Sequence, residues 1–183
     1  MSPSQLKDQT NTNELLHLLE QSENVQLELD RRIFNLKTLY DVSKDIFSSV
    51  DSAAILRNFL LMVMGNFGVA EGMVMLCRGK QLETEQCAAV GIQQKDEAML
   101  QEHLQQILLI NRPRESATPS PDAAILQPGC DPLDIVFPFA VDPHITGALG
   151  LGAKLIDEHF NDNDRELIKT LVNNLSIACL LYT

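Results

Sequence analysis

Positive charge is scarce in this chain. Its 183 residues carry 14 Lys and Arg against 25 Asp and Glu, a net charge of −11 with an isoelectric point near 4.7. A surface that negative repels phosphate backbones and anionic headgroups, which argues against nucleic-acid or membrane-surface binding. Long apolar runs are missing as well. The longest internal uncharged, strongly apolar stretch, residues 58–70, is 13 residues long, short of the roughly 20 a bilayer span needs. Residues 1–8 hold no apolar signal region. The expectation is a soluble, cytoplasmic chain.

Cysteine is sparse and unpatterned. The four stand at 77, 87, 130 and 179, and no pair has the close spacing of a zinc knuckle or a dithiol redox motif. No metal site is expected. Reduced thiols acting as small core residues are the reading. What is present is ordinary globular material, 45% hydrophobic and 21% charged, enough for one domain with an appendage.

Residues 1–13 are polar, rich in Ser, Gln, Asn and Thr, and read as a disordered arm. From 14 to 49 there is neither Pro nor Gly, and the apolar residues keep helical time. With Leu15 at position a of a heptad, Leu29 and Leu36 also fall at a, while Leu18, Val25 and Leu39 fall at d. Ser22, Arg32 and Ser43 interrupt the seam. A helix of that length spans about 54 Å, more stripe than a small domain buries, so the early heptads call for a partner helix. Leu15, Leu18, Val25, Leu29, Leu36 and Leu39 are the expected homodimer interface. The alternative is a single helix folded back on its own domain.

Beyond it the pattern predicts a helix over 53–64, ended by Gly65 to Gly68, then strands over 72–77 and 82–90 around the turn Arg78-Gly79-Lys80. The first of these strands is apolar on both faces and should be central. A helix follows over 95–109, stopped by Arg112-Pro113. Five prolines between 113 and 132 mark a long loop, interrupted by an edge strand near 114–118. Strands over 133–141 and 146–155 come next, the second carrying Gly147, Gly150 and Gly152, whose recurrence implies close approach of something packed on the sheet. Asn161 then caps a last helix with Asp164 at its third position.

Several of these segments carry a family likeness. Leu39-Tyr40-Asp41-Val42-Ser43, residues 51–67, Arg112-Pro113-Arg114, Pro121-Asp122-Ala123, Val136-Phe137-Pro138-Phe139, Gly147-Ala148-Leu149-Gly150-Leu151 and Phe160-Asn161-Asp162-Asn163-Asp164 follow one another in order. So arranged, they resemble the GAF domain family of small-molecule sensors over residues 36–183. The resemblance implies an α+β fold of GAF/PAS type: an antiparallel sheet of five or six strands, terminal helices on one face, and a ligand-pocket helix with loops on the other. It also implies a non-catalytic, bacterial-type regulator that binds a small ligand. The signal would pass through dimeric terminal helices to an effector domain downstream in a longer protein. The alternative is a dimerisation module whose pocket is filled by its own side chains.

Met73 with Met75, and Phe137 with Phe139, are spaced by two, so each pair shares a strand face. They are candidate ligand contacts, together with Arg112 at the mouth of the long loop and His103 on the helix that borders the expected pocket. Cyclic-nucleotide-binding relatives carry an Asn-Lys, Phe, Asp-Glu series. Lys154, Phe160 and Asp164 fit it, whereas Ala153 and Arg165 do not. The plainer account pairs Lys154 with Asp164 and plugs the core with Phe160. No two of His17, His103, His144 and His159 form a helical i, i+4 pair, which argues against haem or iron. Cys130 lacks the neighbours seen in bilin-binding relatives, and the thiols do not reproduce the motif of relatives that reduce methionine sulfoxide.

Overall fold

The computed structural model describes residues 3–46, 52–110, 124–125, 132–156 and 159–182. The chain divides into two units, residues 1–38 and 39–183. Helix α1, Pro3–Ile46, supplies the first and runs into the second. It begins earlier than the sequence suggested, passing through the segment expected to be a disordered arm. Proline is tolerated in the first turn of a helix, and no Pro or Gly follows Pro3 before Gly65. Val25, Leu29 and Leu36 are exposed on α1, as are Leu19, Ile33 and Tyr40. Leu39 instead packs on the core of the second unit. The side chains of Leu15 and Leu18 lie outside the described residues.

Helix α2, Ser52–Phe67, buries Ile55, Leu56, Phe59, Leu60, Val63 and Met64, a stripe at i, i+4 spacing. Gly65 is carried inside the helix rather than ending it. The stop comes at Gly68, whose φ of 63° is cheap only for glycine. There the amide of Val69 donates to the Met64 carbonyl at 3.0 Å, closing a Schellman turn.

Strands β1 (Gly72–Arg78), β2 (Glu83–Val90), β4 (Leu133–Ala140) and β5 (Ile145–Gly152) form the body of an antiparallel sheet in the order β2-β1-β5-β4. The two-residue β3, Ala124–Ile125, adds a fragment beside β4. Among the described residues the sheet therefore has four full strands and that fragment. The edge strand expected near 114–118 falls outside the described residues. β1 is central, with Gly72 to Cys77 buried on both faces, as its unbroken apolar run required. Pro138 also sits in β4, opposite Ala148 of β5 and past the residues that β3 pairs.

The two sheet faces carry separate cores. α2 and α4 (Asp162–Tyr182) cover one, closing over Val74, Leu76, Leu149, Leu151, Phe137 and Phe139. α3 (Gln94–Ile110) covers the other with Leu100, Leu104, Ile107 and Leu108. The glycines of β5 make room for close neighbours: the Phe139 ring packs onto Gly147 and the Leu133 side chain onto Gly150. No helix among the described residues is long and apolar enough to cross a membrane.

Candidate functional site

The α3-facing layer is built by strand alternation. Met73, Met75 and Cys77 of β1 point into it, and register places Gly150, Ala148 and Thr146 of β5 opposite them in turn. On the other side β2 sets Ala89 against Met73 and Cys87 against Met75. Leu133 and Val136 of β4 complete the floor, with Leu82 beside it. This is a layer of small and flexible side chains, in which Met adapts its shape and Gly and Ala leave room.

Polar groups gather at one end of it. The hydroxyl of Thr146, opposite Cys77, is buried and has no hydrogen-bond partner among the described residues. Gln105 of α3 donates to the Leu82 carbonyl at 3.1 Å and to the Thr84 hydroxyl at 3.0 Å. Thr84 beside Cys77 and Gln101 beside Cys87 draw the thiols' pKa down. Burial nevertheless pushes both thiols up to about 11; for Cys87 the neighbouring Glu97 carboxylate adds to the rise. Leu82 is the only described non-glycine residue with positive φ, at 54°. That conformation turns the β1–β2 connection back so that Leu82 is buried under α3.

The five candidate contacts among the described residues do not converge. Met73 and Met75 lie together in the α3 layer, and His103 is half-buried on α3 itself. Phe137 and Phe139 are on the opposite face, in the core under α2 and α4. β4 pairs with β5 so that the odd-numbered residues from Ile135 onward face those helices. Arg112 lies outside the described residues, as does Cys130. Sequence reasoning missed Thr146, Gln101, Gln105 and the proximity of Cys77 to Cys87. The period-two run from Met73 could have been extended to Cys77. The alignment of Cys87 with Met75 depends on turn length and on a register slip between Leu76 and Cys77, which no local pattern announces. No three His, Cys, Asp or Glu side chains among the described residues come together as a metal nest.

Lys154, Phe160 and Asp164 form a clasp where β5 runs into α4. The Lys154 ammonium lies 2.7 Å from Asp164 Oδ2 and 5.3 Å from the Phe160 ring centroid. Asn161 Oδ1 accepts from the amides of Asn163 and Asp164, and the Asp164 carboxylate accepts from the amide of Asn161, a reciprocal capping box. Phe160 packs on Phe67 with ring centroids 6.2 Å apart. The plainer account of these three residues is the one the geometry bears out.

No family profile matches the sequence, and no curated protein sequence matches it. Solved structures do. One is the GAF domain assigned to a sensor histidine kinase from Pseudomonas syringae pv. tomato, 16% identical, with a TM-score of 0.55 over 83% of this chain and 89% of that one. A second is a segment of a methyl-accepting chemotaxis protein, 15% identical, with a TM-score of 0.54 over 77% of this chain and 96% of that one. A third is the N-acylhomoserine lactone-dependent LuxR-family transcription factor CepR2 from Burkholderia cenocepacia, 13% identical, at 0.51 over 81% and 94%. The chain has a GAF-like fold.

Proposed function

From a GAF-like fold with a separate α3-covered layer, we propose that this chain is a non-catalytic sensory or regulatory domain of the cytoplasm. The ligand would be a small, mostly apolar molecule with one hydrogen-bonding group, held between α3 and the sheet. The observation that carries this reading is the Thr146 hydroxyl, buried opposite Cys77 at the end of this layer with no partner among the described residues. A buried polar group left unpaired costs about 1–3 kcal/mol, and a ligand group that bonds it recovers that cost. The dependence of one structural neighbour on an N-acylhomoserine lactone supports an amphipathic acyl compound as the first class to try. Ligand binding would favour one arrangement of paired terminal helices, limited by its differential affinity for the two arrangements. The effector would lie outside this chain, as in a kinase, transcription or chemotaxis protein.

A thermal-shift screen of acyl lactones, fatty acids and aromatic metabolites tests it. A ligand at 100 times its dissociation constant adds about 2.7 kcal/mol of stability, and Thr146→Val is expected to abolish that gain. The complete burial of Met73 and Met75 favours a second reading, a dimerisation module with a self-filled layer. A screen without hits, together with a dimer in solution, selects that one.

A further inference from the structure

Four sulfur-bearing side chains share one face of two neighbouring strands. Met73, Met75 and Cys77 recur at every second residue of β1, and Cys87 of β2 stands directly across from Met75. Directly opposed antiparallel residues hold their Cβ atoms about 4.5–5.5 Å apart, so Cys87 and Met75 are within the span of a single ion. The slip between Leu76 and Cys77 puts Thr84 across from Cys77. Cys77, two residues on from Met75, is the diagonal neighbour of Cys87 on that face. We propose that Cys77, Cys87 and Met75, with Met73 beside them, form a binding site for a soft monovalent cation of the copper(I) class.

Ligand chemistry selects the ion. Thiolate takes zinc as well as copper(I), but thioether sulfur is a donor that copper(I) accepts and zinc, which completes its shell with thiolate, imidazole or carboxylate, does not use. No such nitrogen or oxygen nest exists among the described residues. Register sets Thr84 across from Cys77 at the edge of this sulfur face, and Gln105 of α3 donates to the Thr84 hydroxyl at 3.0 Å, so α3 closes over the cluster. On binding, each Cys S–H gives its proton to solvent and its sulfur lone pair to the metal. One copper(I) and two thiols thus yield a bis-thiolate complex and two protons, with no change of oxidation state. Cys87, half-buried on the edge strand β2, is the way in. The site stands whether or not the layer also takes an organic ligand.

The test uses the full, reduced chain without oxygen. Silver(I), which mimics copper(I) without redox chemistry, and copper(I) itself are titrated against a competing chelator, with stoichiometry from native mass spectrometry. One ion per chain and two released protons per ion are expected. Cys77→Ser and Cys87→Ser should each weaken binding by about tenfold or more, and Cys130→Ser and Cys179→Ser should leave it unchanged. Serine in a packed layer can unfold the domain, so Met75→Leu, which keeps the volume, is measured alongside and is expected to weaken binding too. Bound silver should also protect Cys87 of the unmodified chain from alkylation. Absent binding overturns the site. So does loss shared equally with the Cys130 or Cys179 variant, unchanged affinity in Met75→Leu, or unprotected Cys87.

Discussion

The Lys154 ammonium and the Asp164 carboxylate meet at 2.7 Å across the junction between the last strand and the last helix. Both side chains are largely buried, and the same Asp164 oxygen accepts from the Asn161 amide. Asp164 is therefore a cap and an ion-pair partner at once. Asp164→Ala should destabilise the domain by about 1–3 kcal/mol, since both a cap and a charged hydrogen bond are lost. Chemical denaturation reads this directly, and a change under 0.5 kcal/mol would show the clasp to be idle.

Thr146→Val replaces a buried hydroxyl that has no partner among the described residues with a methyl of the same shape. Stability should rise by about 1 kcal/mol, because the cost of burying an unpaired polar group disappears. A fall in melting temperature would mean the hydroxyl has a partner in solution.

Gly79 and Gly91 both hold positive φ, 75° and 74°. An added Cβ at Gly79 meets open space, whereas at Gly91 it runs into the backbone of Ala70 and Glu71. Gly79→Ala should cost about 1 kcal/mol, from the left-handed backbone alone. Gly91→Ala should cost clearly more, by the steric overlap. Equal losses in paired melts would contradict the close approach.

Burial holds the thiols of Cys77, Cys87 and Cys179 protonated up to about pH 11, above their ordinary value of 9.0. The folded state thus binds more protons than the unfolded state between those values, and stability is lost as pH rises from about 9 to about 11. Below that window the contribution is complete. Melting temperatures of the unmodified chain and of Cys179→Ala, compared at pH 7 and pH 10.5, should converge at the higher pH. A constant gap would contradict the assignment.

Val25, Leu29 and Leu36 are exposed on α1 at seam positions. If two copies pair there, changing all three to Gln should turn a dimer into a monomer in light scattering, with the melting of the body nearly unchanged. A monomeric unmodified chain at micromolar concentration would remove the pairing.

Much of the layout was readable locally. Apolar spacing at i, i+4 marked α2 and α3, the unbroken run of β1 marked a central strand, and Asn161 with Asp164 marked the start of α4. Each signal involves residues a few positions apart, where helix and strand periodicity act directly. The ends were less readable. Gly65 lies inside α2 because nothing there requires positive φ, while Gly68 does.

The α3 layer was not readable in the same way. Sequence alternation put Phe137 with Phe139 and Met73 with Met75, but alternation carries no label for which face looks at which helix. The pairing register of β1, β5 and β4 settles that, sending the phenylalanines toward α2 and α4 and the methionines toward α3. The shared face of Cys77 and Cys87, and the placing of the Thr146 hydroxyl opposite Cys77, likewise come from cross-strand register. Local propensity therefore determined the elements and their caps. Only tertiary pairing decided the site, because a shift of one residue in register moves every side chain of a strand to the other face.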